Sequence, residues 1–312
     1  MKKGVRIAFP YLGAAIIFIN YYTIPSLAES RSIYPIILTA LLIVYTVVWI
    51  ASFRSPKKIQ KVLNLTPKLF VGALALTAWD ILTVRMGVLP LPFFQSFERI
   101  MSVFVDDWHL LLKSLLHSLR LLFTGYLIGM ATGLVTGVFI GWYPKVNYWI
   151  MPIVKAIGPI PATVWIPLII VIMPTMFGGS VFLIALAVWF PATLMTATGI
   201  LSTPNTYFEV ARTLGADSRY LIFRVAIPSA LPSIFMGMFI GMGVSCVTLI
   251  SAEMLGVKAG LGWYITKASG WTEYHKVYAS IIIILITFTT IITLIFKIRD
   301  KVLVWQKNEI KW

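Results

Sequence analysis

Three kinds of side chain in this 312-residue sequence offer chemistry. The first are ionisable groups inside apolar runs: Asp80, Lys155 and Glu253. In hydrocarbon such groups are costly and mark ion relays, solute contacts or pairs. Asp80 stands just before Arg85, and Lys155 lies within snorkelling reach of a membrane surface, so both read first as structural. Glu253 is expected to mark the outer end of its helix. The second kind is a pair of hydroxyls on one helical face, Ser245 and Thr248. They can contact a passing solute or bond back to their own helix. The third is a polar interruption, Glu209-Val-Ala-Arg-Thr-Leu-Gly215, in which Glu209 and Arg212 are spaced to pair at i, i+3. None of these forms a catalytic set. His109, His117 and His275 are scattered, and a lone Cys246 excludes intrachain disulfides and a cysteine metal cluster. Asp106 and Asp107 are adjacent, so on a helix they point about 100° apart. No Gly-x-x-x-x-Gly-Lys-Ser/Thr phosphate cradle occurs. No catalytic residue, metal site or cofactor is therefore expected in this chain, and any driving nucleotide hydrolysis belongs to another.

The elements that position these residues are membrane helices. Apolar residues make up 59% and charged ones 12%, where soluble domains carry about 25% charged. The net charge of +15 would suggest nucleic acid in a soluble protein; here the basic residues sit between apolar runs, the signature of positive-inside topology. Nucleic acid is not an expected partner; the lipid bilayer is. Apolar stretches long enough to span lie at about 7–27, 34–52, 68–86, 118–141, 147–173, 180–201, 228–250 and 278–297. Such a count places both termini on one side. The basic ends, the stretch around Lys57, Lys58, Lys61 and Lys68, and Arg212, Arg219 and Arg224 share that side, which is therefore read as cytoplasmic. The first helix resembles a signal peptide's first half but is too long for one, and is expected to stay uncleaved. Residues 1–56 read as two appended helices, 66–305 as the working domain with a loop at 202–228, and 306–312 as a basic tail. Within 66–305, the stretch 89–117 is expected outside the membrane with an interfacial helix.

Two spans carry unusual patterns. Gly125, Gly129, Gly133, Gly137 and Gly141 repeat at i, i+4 and form one smooth stripe for close helix packing. Pro152, Pro159, Pro161, Pro167 and Pro174 crowd one span, and a helix broken at membrane depth persists only against protein or a water-filled cavity. Pro161, Trp165, Trp189, Ser245, Thr248 and Glu253 are the candidates for lining a translocation path.

The polar interruption has helix-loop-helix grammar. Thr203 and Pro204 suit N-cap and N1, Gly215 suits C′, and Asp217 can cap the next helix. Tyr207, Phe208, Val210, Ala211 and Leu214 fall on one side; Thr206, Glu209, Arg212 and Thr213 fall on the other. A helix of about ten residues is too short to span and marginal alone in water, so it needs a partner surface.

This segment resembles the EAA signature of ABC importer permeases: Glu209, Ala211, Gly215, Val225, Ile227 and Pro228. Val210 replaces the middle alanine and Ile227 the usual leucine. The string Glu209 to Ala216, the string Arg224 to Pro232, Gly158 to Leu168, Ala252-Glu253-Met254 and Gly260-Leu-Gly262 look like the nitrate/sulfonate/taurine/bicarbonate branch, over about 87–305. The resemblance implies an all-α polytopic membrane protein with the type I ABC importer fold, about six core helices plus two extra N-terminal ones. It implies a permease homodimer, an ABC ATPase subunit that holds ATP and Mg, and an extracytoplasmic solute-binding protein. Residues 204–215 would be the coupling helix, with Tyr207, Phe208, Glu209, Ala211, Arg212, Leu214, Gly215 and Pro228 as its coupling residues.

An ion-coupled secondary transporter is the competing class; it calls for buried carboxylates or inverted repeats, and neither is clear. A membrane enzyme calls for a catalytic cluster, which is absent from the sequence. By family association the cargo is a small nitrate-, sulfonate- or taurine-like anion; a pyrimidine or vitamin-precursor heterocycle is the alternative.

Overall fold

A computed structural model describes residues 3–23, 33–52 and 56–305, and all statements of structure concern these; the tail at 306–312 lies outside them. The α-helices in order are α1 (Lys3–Thr23), α2 (Ile33–Ser52), α3 (Pro56–Asp80), α4 (Phe97–Asp106), α5 (Trp108–Trp142), α6 (Pro144–Ile157), α7 (Ile166–Ile172), α8 (Met176–Leu201), α9 (Asn205–Thr213), α10 (Ser218–Tyr220), α11 (Ile227–Gly256), α12 (Leu261–Gly270) and α13 (Tyr274–Val302). Six helices are long and apolar enough to cross a membrane, or seven if the bent pair α6 and Ala162–Ile172 counts as one. The sequence suggested eight. The expected first span, 7–27, runs outside the described residues, and α1 is not in this count.

The chain divides into two compact units, Met1–His109 with Lys267–Ile281 and Leu110–Thr266 with Ile282–Trp312. In the first unit α3 is bound to α1. A Cβ on Gly13 would lie 2.7 Å from that of Ala73, and Phe9 stacks on Phe70 at 5.2 Å. At the far end Asn20 Nδ2 donates to Asp80 Oδ2 at 2.8 Å and Arg85 Nε to the same oxygen at 3.2 Å. Arg85 also donates to the Tyr21 carbonyl. The structural reading of Asp80 has its explanation here: a buried acid is tolerable when paired and hydrogen-bonded. By contrast α2 is peripheral, with 11% of its apolar window buried. Within the same unit Trp79 Nε1 donates to the Gln95 carbonyl at 3.0 Å, and Tyr278 Oη to that of Phe93 at 3.2 Å. Ser96 caps the amphipathic α4 by accepting from Arg99 N. The stretch 89–117 holds α4, which ends at Asp106, and the first turns of α5, which begins at Trp108, ten residues before the expected span. Asp107 at the break pairs with Lys276 at 3.0 Å.

In the second unit α8 is central, with 61% of its apolar window buried. The glycine stripe of α5 lies on it in matched steps of four. Cβ atoms built on Gly125, Gly133, Gly137 and Gly141 would come within 2.6 to 2.8 Å of those of Ile184, Ala192, Thr196 and Ile200. Only glycine lets backbones meet at that distance, and close packing is what holds helices together in lipid. α11 covers another side of α8, where Gly237 faces Met195 and Gly199 faces Ser233. The proline-rich span is broken as expected: α6 ends at Ile157, a 3₁₀ turn runs over Ala162–Trp165, and α7 departs at 83°. Pro159 and Pro161 sit in the break. Lys155 is exposed on α6.

Candidate functional site

Two sites lie in the second unit, one at each end of the α8–α11 pair. The first is α9. Its start is one residue later than expected: Pro204 occupies the N-cap, and the Thr203 hydroxyl bonds back to the Gly199 carbonyl at 3.3 Å. Thr203 therefore ends α8 and leaves capping to the backbone. At the other end Gly215 has φ +84°, donates to the Arg212 carbonyl at 2.9 Å, and is followed by Ala216, which donates to that of Ala211 at 3.0 Å. This pair of bonds is a Schellman stop, which wants glycine at C′. Asp217 accepts from Tyr220 N at 2.8 Å and starts α10. A π-helical turn, Leu221–Ala226, follows, in which Ile227 N reaches the Ile222 carbonyl. Pro228 has no N–H for the Arg224 carbonyl, so the ladder widens there before α11 begins.

The expected apolar side of α9 divides in two. Phe208 turns inward: its ring meets Trp142 edge-to-face at 5.7 Å and packs on the core of α5, α8 and α11. Ala211 is half-buried. Tyr207, Val210 and Leu214 stay outside at 56%, 60% and 83% exposure. They line an open cleft of about 1070 Å³ together with Gly215, Tyr220, Arg224, Pro228 and Trp305. Glu209 and Arg212 are exposed, and among the described residues no ion pair joins them. The helix is fixed to its own protein by one aromatic residue and presents an unpartnered apolar strip beside two free charges.

The second site is built around Glu253, which is 1% exposed, three residues before the end of α11. Ser118 Oγ of α5 donates to its two carboxyl oxygens at 2.7 and 2.9 Å, and Gly262 N donates to Oε2 at 2.9 Å. Ser118 Oγ in turn accepts from Leu261 N at 2.8 Å, satisfying the first turn of α12. Gly260 has φ +128°, and any Cβ there would collide with the carboxyl group. The two glycines of Gly260-Leu-Gly262 thus have separate jobs: one allows the backbone bend, the other lets its amide reach Glu253. Glu253 ties α11, α5 and α12 together.

The remaining path candidates scatter. Ser245 Oγ bonds to the Met242 carbonyl at 2.8 Å and Thr248 Oγ1 to that of Val244 at 3.0 Å, so both are spent on their own helix. Pro161, Trp165 and Trp189 share a small cavity of about 220 Å³ with Phe190 and Val244. Trp189 Nε1 donates to Thr136 Oγ1 at 3.1 Å. Trp165 Nε1 is buried with no hydrogen-bond partner among the described residues.

Comparison with known proteins bears on both sites. Residues 129–303 match the family described as binding-protein-dependent transport system inner membrane component. The chain belongs to this family. It is similar to a putative ABC transporter permease of Methanocaldococcus jannaschii (28% identity; 78% of this chain, 93% of the relative). It is also similar to the taurine transport system permease TauC of Escherichia coli (29% identity; 70% and 82%). Its fold is that of the inward-facing MetNI methionine ABC transporter (TM-score 0.53, 21% identity; 62% of this chain, 96% of that one). The protein is a permease subunit of an ABC importer, a multi-pass component of the inner membrane. In this permease the matched region holds both α9 and Glu253 but not Ser118. Ser118 escaped the sequence reading because one serine in an apolar run carries no local signal. Trp142 and Trp305 were missed for the same reason.

Proposed function

We propose that this permease forms, with a second copy, the path for a small anion of the nitrate, sulfonate or taurine type. The solute arrives from an extracytoplasmic binding protein, and α9 is the helix through which a separate ATPase, carrying ATP and Mg, drives the change of access. The carrying observation is the split of α9: Phe208 anchors it to Trp142, while Tyr207, Val210 and Leu214 are left over an open cleft. An apolar strip of this kind suits a groove on a partner, in the manner of an amphipathic helix read by its i, i+3, i+4 and i+7 residues. The basic bias of the termini and of 202–228 supports placing them in the cytoplasm with the ATPase. The taurine relative supports the anion.

The test is Gly215→Asp. No atom lies within 4 Å of a Cβ there, so the change adds no clash, and its left-handed backbone costs about 1–2 kcal/mol. The variant is expected to insert normally, to lose co-purification with the ATPase, and to lose more than tenfold of taurine uptake by cells carrying the complete transporter. Retained ATPase binding with unchanged uptake overturns the coupling role. Retained ATPase binding in a wild type that takes up no taurine overturns the cargo alone.

A further inference from the structure

Within the first unit, α2 diverges from α1 and α3 and leaves a groove. The three helices meet where Leu38 packs on Ala14 and Ile17. From there α2 runs to Ser52 and α3 starts at Pro56, so Val48 and Leu65 mark the end of the groove nearer the α2–α3 connection. It has a volume of about 800 Å³ and walls that are apolar apart from two side chains, Tyr45 and Lys68. Both stand toward that end, three residues from Val48 and Leu65. Lys68 is exposed and forms no ion pair among the described residues, although it lies inside the helical run Val62–Arg85 that is apolar enough to span. The Tyr45 hydroxyl is buried without a hydrogen-bond partner. Lys57, Lys58 and Lys61 precede Lys68 in the sequence.

We propose that this groove is a binding site for one anionic phospholipid of the surrounding bilayer, its acyl chain along α3 and its phosphate at Lys68. Length and lining identify the occupant. From Leu65 to Trp79 the groove runs about 21 Å along α3, at a rise of 1.5 Å per residue, more than the ~15 Å of one leaflet. Its walls are apolar over that length, which suits a flexible hydrocarbon chain of the bilayer. Volume and lining also match ligand pockets in general, about 300–1,000 Å³ and apolar, with a few polar groups that fix orientation. The phosphate is assigned to Lys68 by charge: a lysine without an ion pair among the described residues at the basic end of a membrane helix attracts an anion, and basic sites on the cytoplasmic side of membrane helices select anionic lipids. This last step rests on the cytoplasmic placement of the α2–α3 connection.

The experiment places the purified protein in nanodiscs of equal dioleoylphosphatidylglycerol and dioleoylphosphatidylcholine, and counts retained lipid per chain by native mass spectrometry after mild detergent release. The wild type is expected to keep one lipid, phosphatidylglycerol favoured about fivefold, the effect of one lysine near the surface. Lys68→Ala is expected to keep a lipid but lose the preference. Gly72 lines the groove and a Cβ there meets nothing within 4 Å, so Gly72→Leu fills the channel and is expected to lose the lipid. A wild type that retains no lipid, or both lipids equally, overturns the proposal. So does undiminished retention in Gly72→Leu. A Val44→Cys variant that cross-links copy to copy would assign the groove to a second subunit and overturn it as well.

Discussion

Ser118→Ala probes the Glu253 clasp most directly, because one hydroxyl serves both the carboxyl group and the Leu261 amide. Its hydrogen bonds at 2.7 and 2.9 Å supply the carboxyl group, and it accepts the Leu261 amide at 2.8 Å. A hydrogen bond to a charged group contributes about 1.5–3 kcal/mol, and a buried donor left without a partner costs about 1–3 kcal/mol. Ser118 is buried, as are Glu253 and Leu261, so water cannot replace the lost hydroxyl without a cavity. The removed atom is too small to leave one of useful size. The variant should therefore lose about 2–5 kcal/mol. For a unit of 150–250 residues each kcal/mol shifts the midpoint by about 2–4 °C, so a fall on the order of 10 °C is expected. Cys246 makes the assay simple: it is the sole cysteine and is buried on α11, so a thiol-reactive fluorogenic maleimide reports unfolding of this unit. Glu253→Gln keeps the shape and, through its one carbonyl oxygen, the Gly262 and Ser118 contacts, but turns an NH₂ donor toward Ser118 Oγ in place of the second carboxyl oxygen. The two changes share one network, and the double variant should fall short of their sum by at least 0.5 kcal/mol. A midpoint for Ser118→Ala within 2 °C of wild type, or strict additivity, would refute the clasp.

Two further substitutions test the packing that carries these sites. Gly133→Ala places a Cβ 2.6 Å from that of Ala192 and 2.9 Å from the Trp189 carbonyl, so α5 and α8 must separate; a loss of about 1–3 kcal/mol is expected in the same thiol assay, and an unchanged midpoint refutes the packing argument. Asp80→Ala strands Arg85, whose side chain is 4% exposed, at a cost of about 3–5 kcal/mol; amide exchange in α1 should accelerate at least tenfold, and unchanged protection would remove the ion pair as the tie between α1 and α3.

Much of the architecture is local and was legible in the residues alone. The glycine stripe announced its own contact, since five glycines at i, i+4 leave one smooth face and nothing else to do in lipid. The proline cluster announced the break near Pro159, and Gly215 and Asp217 announced the end of one short helix and the start of the next. Periodicity, caps and breakers act within a few residues, so the chain records them directly. The register of α9 was legible only to within one residue, because Pro204 serves as either N-cap or N1 and the choice depends on where the Thr203 hydroxyl goes.

Tertiary structure decided what periodicity leaves open. An apolar side of α9 could be seen, but which of its members packs inward and which stays exposed was decided by the ring of Trp142, sixty-odd residues away in the chain. Asp80 gained its meaning from Asn20, and Glu253 from Ser118, 135 residues earlier. Such pairs cost conformational entropy to close and leave no spacing rule behind. The sequence by itself determined that this is a bundle of membrane helices with one short polar interruption between α8 and α11. Only the folded chain determined that Glu253 is tied into a clasp of three helices, because a buried carboxyl group is defined by the donors brought to it and not by its neighbours in the chain.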